Sequence, residues 1–226
     1  RCGVDRLACV DLPFFPLQLL ARRRPDFAGH PVAVIDRDSP RGKLLFVDDL
    51  ARQAGVRPGL TYAAALSITR ELRADVVPTT EIDAGIRGLT AALIGFSPSV
   101  EPSPTPPGVF FIDASGLSRL HPSQVEWAQR IRQRCQQEQL VARVAVGFSH
   151  YGTFAATRAI RDVRVFHSVD EERRFAREVP LVILDVDPTL VAALDKLGVR
   201  RRGRFLRPPA AGPRPGVPET TEYMGR

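Results

Sequence analysis

The sequence predicts an α+β fold built on a ferredoxin-like sheet with the order strand, helix, strand, strand, helix, strand. Two apolar runs, with helical patterns between and after them, support this prediction. Residues 108–115, GVFFIDAS, contain β-branched and aromatic residues bounded by a proline-rich loop and a glycine. Residues 6–12 form a similar run, and each run contains an aspartate near its end. Runs of this length and content are typical of strands in a sheet interior.

Local signals place the elements of the first 78 residues. Pro13 and Pro16 precede an amphipathic helix that ends near residue 24. A polar turn at residues 36–42 separates two apolar runs and predicts a strand pair. In order, the predicted elements are a strand at 6–12, a helix to residue 24, strands at 31–35 and 43–47, and helices at 48–54 and 61–72. Residues 25–78 are interpreted as a small inserted subdomain.

Three serines mark helix starts in the second half of the chain. Ser123 and Ser168 are each followed by a glutamate at capping-box spacing, and Ser149 is predicted to cap a further helix that ends near residue 160. In the helix after Ser123, Trp127 is interpreted as core packing, beside an apolar stripe of Val125, Ala128, Ile131 and Cys135. The remaining predictions are a helix at 80–94, strands at 99–101, 141–147 and 163–165, and a helix at 187–198.

The composition is that of an ordinary soluble protein, with 226 residues of which 44% are hydrophobic. No apolar run approaches the roughly 20 residues that span a bilayer, and no signal peptide opens the chain, so a cytoplasmic location is predicted. The three cysteines lack metal-ligand spacing and are expected to be reduced and structural. Residues 200–226 hold seven arginines against two glutamates, which leaves only +2 of the net +7 for the rest.

The aspartates of the two apolar runs, Asp11 and Asp113, indicate a candidate site. If neighbouring strands deliver them to one end of a sheet, the pair is the simplest arrangement for holding a divalent metal for phosphoryl chemistry. The four histidines are dispersed, and none has a partner at metal-ligand spacing. The alternative is that Asp11 is a strand-end or cap residue and that Asp113 is structural.

Five segments resemble Y-family translesion DNA polymerases in matching order, over about residues 6–207. They are CVDLPFF at 9–15, VDDLARQAGVRPG at 47–59, VEP at 100–102, FIDAS at 111–115 and VGFS at 146–149. The resemblance implies a palm at 1–24 and 79–165, a fingers insertion at 25–78 and the beginning of a helical thumb at 166–207. It also implies that the family's little finger is absent. The density of proline and glycine predicts a disordered tail at 208–226.

The resemblance implies a set of acidic palm residues, from which this sequence departs. Asp11 matches the family's first carboxylate, but the second falls on Pro13, and an Asp-Glu pair falls on Gly108 and Val109. Asp113 matches a position that is acidic in the family without belonging to its catalytic set. One aspartate cannot fix and neutralise two divalent cations, so we expect no intact catalytic site and at most one weakly bound metal ion at Asp11.

Other nucleotide contacts implied by the resemblance are altered as well. The family's two tyrosines fall on Asp49 and near Ile82, whereas the partnering arginine is retained as Arg52, a candidate for nucleotide or phosphate binding. An aspartate facing a triphosphate would repel it. The aromatic gate against ribonucleotides falls on Pro16, or on Phe15 if the alignment slips by one. Arg52 is equally consistent with an ion pair to an aspartate at the start of its own helix.

A Y-family body without its acidic site resembles the ImuB group. The resemblance implies a noncatalytic accessory protein of damage-induced mutagenesis in the bacterial cytoplasm, associated with the nucleoid. Its implied partners are DNA, the sliding clamp, an ImuA-type protein and a separate error-prone polymerase, and no cofactor is expected. The candidate DNA contacts are Arg200, Arg201, Arg202 and Arg204. The alternative for this cluster is a solvated basic tail.

Two other functions stay open on the sequence. An active Y-family DNA polymerase would require Mg²⁺ and further carboxylates, and the glycine and valine at positions 108 and 109 are the feature against it. A truncated remnant without a function of its own is the second possibility. Such a remnant would not show a cooperative unfolding transition.

Overall fold

The computed structural model describes residues 6–116 and 123–184. The chain divides into two compact units, residues 1–176 and residues 177–226, and both sheets belong to the first unit. The helix predicted at 187–198, the arginine cluster at 200–204 and the tail predicted at 208–226 lie outside the described residues. Within the described ranges, no helix is long and apolar enough to cross a membrane.

The described residues contain eight strands and seven α-helices. The strands are β1 (Leu7–Asp11), β2 (Val32–Ile35), β3 (Leu44–Val47), β4 (Arg73–Val76), β5 (Val100–Pro102), β6 (Val109–Asp113), β7 (Arg143–Gly147) and β8 (Val163–Val165). The helices are α1 (Phe15–Arg23), α2 (Asp49–Gln53), α3 (Tyr62–Ile68), α4 (Thr79–Leu93), α5 (Gln124–Gln137), α6 (His150–Ala159) and α7 (Val169–Glu178). Short 3-10 turns lie at Pro25–Phe27 and Leu181–Leu184.

The larger sheet has five strands in the order β5-β6-β1-β7-β8. Strand β1 lies between β6 and β7 and is antiparallel to both, and β5 is antiparallel to β6. This is the split βαβ arrangement of a ferredoxin-like sheet, so the predicted topology is confirmed. The predicted edge strand is present as β8, which adds to β7 in parallel.

The smaller sheet has three strands in the order β3-β2-β4 and is formed by the inserted residues. The predicted pair β2 and β3 is antiparallel, and β4 pairs with β2 in parallel. The sequence missed β4 because its residues, RADV, include two charged side chains and none of them is fully buried. The helix predicted at 61–72 was too long for the same reason, since α3 ends at Ile68.

One face of the larger sheet packs on α1, α4 and α5 to form the main core. Alternate residues of β1, Ala8 and Val10, point into this core, as expected for a strand with a period of two. Strand β2 is buried on both faces, because Val32 and Val34 join the main core while its other two residues join a second core with α2 and α3. The run VAVI therefore lacks the alternation of a half-exposed strand.

The apolar stripe predicted for α5 was wrong at one position. Val125 is 42% exposed, and the buried stripe instead contains Trp127, Ala128, Ile131 and Cys135. Burial of Trp127 confirms its interpretation as core packing. The predicted serine caps are present, because the hydroxyl of each serine accepts a hydrogen bond from the backbone N–H three residues later.

The second face of the larger sheet is covered in part by α6, which packs on β1 and β7. The turn between β7 and α6 is fixed by Glu172 of α7, a buried carboxylate that accepts hydrogen bonds from Phe148 N and Ser149 Oγ. Gly147 and Gly152 make room for it, because a Cβ at either position would collide with the Glu172 carboxylate. This face carries the candidate site.

Candidate functional site at the end of strands β1 and β6

The two strand-end aspartates lie at opposite ends of the β1–β6 pair. Asp11 is directly opposite Val109, and Asp113 is directly opposite Leu7, because the strands are antiparallel. Four residues of strand separate the two positions, which corresponds to about 14 Å. The prediction that neighbouring strands deliver both carboxylates to one end of the sheet was therefore wrong.

Asp11 is completely buried and forms an ion pair with Arg158 of α6. The Nε atom of Arg158 lies 3.2 Å from Asp11 Oδ2, and the two side chains are 8% and 0% exposed. The guanidinium of Arg158 also lies over the ring of Phe154, 5.0 Å from its centroid. Sequence reasoning missed Arg158, because an arginine in the last turn of a helix is usually a solvated cation that favours the helix C-terminus.

A second arginine lies on the same face beside Asp11. Arg143 is directly opposite Asp11 across β1 and β7, and such pairs project from the same side of a sheet. Its guanidinium donates a hydrogen bond to the Thr157 carbonyl at 3.4 Å. Cys9 lies two residues before Asp11, and burial, followed by the charge of Asp11, raises the pKa of its thiol. The surroundings of Asp11 are therefore buried and contain two guanidinium groups.

The positions where the resemblance expects further carboxylates do surround Asp11. The backbone N–H of Leu12 donates to the Gly108 carbonyl at 2.9 Å, and Val109 is the cross-strand neighbour of Asp11. Gly108 has a φ of +89°, and a Cβ on it would lie 2.8 Å from Cγ of Phe15 and closer still to its Cβ. Val109 is 1% exposed. A carboxylate at position 108 would thus need both backbone strain and displacement of Phe15.

These residues do not fit the metal ions that the fold family implies. Asp11 is paired with a guanidinium, while Pro13, Gly108 and Val109 have no oxygen on their side chains. Across residues 6–116 and 123–184, no three His, Cys, Asp or Glu side chains are grouped so that they could hold a metal ion. Hard divalent cations require several oxygen ligands, and this strand end supplies one carboxylate.

Arg52 of α2 lies over the loop that follows β1. Its guanidinium is 4.5 Å from the ring centroid of Phe14, and its Nη1 atom is 3.8 Å from Asp49 Oδ1. The alternative of an ion pair within the helix is therefore present, together with a cation–π contact that the sequence did not predict. Phe15 and Pro16, the two candidates for the aromatic gate, are both buried at the start of α1. Phosphate binding by Arg52 stays a prediction.

The other end of β6 is open. Asp113 is exposed, and its carboxylate accepts a hydrogen bond from the backbone N–H of Ser115 at 2.8 Å. This local bond is the Asx turn expected of an aspartate that ends a strand. Nearby, the ring of Phe111 packs against His150 with 4.5 Å between ring centroids.

Comparison with solved structures defines the fold class. The chain is similar to DinB from Sulfolobus solfataricus, with 17% sequence identity and a TM-score of 0.73 over 90% of this chain and 60% of that chain. An insertion ternary complex of Dbh DNA polymerase gives 18% identity and a TM-score of 0.71 over 87% of this chain and 58% of that chain. The fold is that of the palm and fingers of Y-family DNA polymerases, which confirms the predicted fold class.

The sequence comparison defines the family. The chain belongs to the impB/mucB/samB family, whose model matches residues 10–156. No curated protein sequence matches the chain. The chain spans about 60% of the length of the solved structures to which it is similar.

Proposed function

We propose that this chain is a noncatalytic, Y-family polymerase-like protein of the ImuB type, which acts as a DNA-binding scaffold in damage-induced translesion synthesis. The observation that carries the proposal is the environment of Asp11. Its carboxylate is paired with Arg158, and the three positions around it where the family resemblance expects acids are Pro13, Gly108 and Val109. Two-metal phosphoryl transfer needs several carboxylates to hold two cations in place.

The proposed partners are DNA, the sliding clamp, an ImuA-type protein and a separate error-prone polymerase. DNA binding is supported by membership of the family and by similarity to Dbh DNA polymerase structures described as ternary and binary complexes. The proposed DNA contacts are the cluster of Arg200, Arg201, Arg202 and Arg204, with Arg52 as a further phosphate contact. Arginine suits this role because its guanidinium binds phosphate through two parallel hydrogen bonds.

Catalysis is tested on a primer–template in the presence of Mg²⁺ or Mn²⁺, alongside equilibrium Mn²⁺ binding to the purified chain. We expect no nucleotide incorporation, and no Mn²⁺ binding that depends on Asp11. An Asp11→Asn variant is the control in both assays. Incorporation, or binding of two Mn²⁺ ions, that this substitution abolishes would establish the polymerase and overturn the proposal.

DNA binding is tested by measuring affinity for duplex DNA over a series of salt concentrations. Neutralising the cluster by Arg→Gln at positions 200, 201, 202 and 204 should reduce the slope of log K against log salt by about 3, because each lost phosphate contact removes about 0.7–0.9. The matched control removes the same charge from exposed arginines of the described surface, Arg70, Arg87, Arg130 and Arg174. Equal losses in both variants would show that net charge alone drives binding.

A further inference from the structure

The pair formed by Asp11 and Arg158 is unusual in its burial. Arginine and aspartate are rarely buried unless they are paired, and both side chains here are at most 8% exposed. Removing two charges from water is costly, and the pair compensates this cost only when the geometry is good. A pair at this depth therefore needs an account beyond that of a surface salt bridge.

The location of the pair supplies that account. Asp11 is the one carboxylate at the strand end where the fold family holds metal ions, and the Nε atom of Arg158 is 3.2 Å from its Oδ2 atom. Arg143, which is directly opposite Asp11, brings a second guanidinium to the same face of the sheet. A divalent cation would have to approach a carboxylate that already has a positive partner, and it would be repelled by both arginines.

We propose that Arg158 is the resident counter-cation of Asp11, taking the electrostatic place of a divalent metal and making this strand end refractory to Mg²⁺ and Mn²⁺. The inference rests on the proposed noncatalytic function, because a polymerase would need Asp11 as a metal ligand. On this account, Asp11 is retained as half of a structural ion pair. The pair fastens α6 to the centre of the larger sheet.

The competing explanation is that Arg158 is retained for packing. Its alkyl stem is buried, and its guanidinium lies 5.0 Å from the ring centroid of Phe154. Long charged side chains do stabilise proteins through their apolar stems. The two explanations differ in what restores stability after the substitution of Arg158, because only the first requires a positive charge near Asp11.

The experiment measures the thermal unfolding midpoint of the whole 226-residue chain and its variants. Arg158→Lys retains the charge, whereas Arg158→Met retains the stem without it, so we expect the Lys variant to lose less stability. In Arg158→Ala, N-methylguanidinium or Mn²⁺ at tens of millimolar should raise the midpoint by about 2–4 °C. The wild-type chain, the double variant Arg158→Ala with Asp11→Asn, and the exposed control Arg161→Ala should not respond.

Two results would overturn the inference. If the Lys and Met variants lose equal stability, and neither cation raises the midpoint of Arg158→Ala, the side chain is retained for packing, and the proposed noncatalytic function still stands. If the wild-type chain itself binds Mn²⁺ through Asp11, both the inference and the proposed function fail. Should Arg158→Ala not fold, the comparison of Lys with Met decides alone.

Discussion

The two ends of the β1–β6 pair carry the same sequence feature and differ in almost every physical respect. At one end, Asp11 is buried, paired with Arg158 and crowded by Phe15 next to Gly108. At the other end, Asp113 is exposed and bonded only to the backbone of its own turn in the described structure. An apolar run ending in an aspartate therefore does not by itself indicate what the aspartate does.

The difference comes from what packs on each end. Helix α6 covers β1 and β7 and brings a cation to Asp11, whereas the far end of β6 has solvent on the side of Asp113. A carboxylate removed from water must be compensated, while an exposed one needs nothing more than a local hydrogen bond. The chemistry of each aspartate is thus set by tertiary packing, and substitutions at the two ends should have very different effects.

The largest expected effect is at Asp11. Asp11→Asn retains the size of the side chain but leaves the charge of Arg158 without its carboxylate partner. Breaking a buried pair in this way should lower the free energy of unfolding by about 3–5 kcal/mol. Urea denaturation of the purified chain measures the change.

The control for this prediction is the double variant Asp11→Asn with Arg158→Met. It removes both charges, so it should be more stable than Asp11→Asn alone, although the two substitutions are in contact and their effects are not additive. A loss below about 1 kcal/mol for Asp11→Asn would mean that the pair behaves as an exposed salt bridge. The contrast between the two ends would then disappear.

The fold and the strand-end positions could be predicted from the sequence, because they depend on local patterns. Buried runs, serine caps and the order of elements specify the ferredoxin-like sheet, and the family-like segments locate Asp11, Gly108 and Val109. The opposite placement of Asp113 could also have been derived, since the split βαβ order makes these two strands antiparallel. That step needs the topology to be applied to the site.

The partner of Asp11 could not be predicted in the same way. Arg158 is 147 residues away in sequence, and its position in α6 has no local signal that distinguishes it from a solvated arginine. Edge strand β4 was missed for a related reason, because its pairing with β2 compensates for a sequence with weak strand propensity. Both features depend on long-range contacts.

An intermediate effect is expected at the two glycines that flank β6. Gly108 and Gly116 have φ values of 89° and 76°, so alanine at either position incurs a backbone cost of about 1–2 kcal/mol. A Cβ at Gly108 collides with Phe15, whereas one at Gly116 has no heavy atom outside its own chain neighbours within 4 Å. Gly108→Ala should therefore destabilise the chain by about 1–3 kcal/mol more than Gly116→Ala in the same urea experiment. Equal losses would show that the Asp11 end is not closed by packing.

The smallest effect is expected at Asp113, where the same substitution as at Asp11 should be nearly silent. Asparagine retains the side-chain oxygen that accepts from Ser115 N, so Asp113→Asn should change the free energy of unfolding by less than about 0.5 kcal/mol. Asp113→Ala removes the acceptor and should cost about 0.5–1.5 kcal/mol. If Asp113→Asn instead costs as much as Asp113→Ala, the charge and not the hydrogen bond matters at this end. Asp113 would then have an electrostatic role of its own, as Asp11 does.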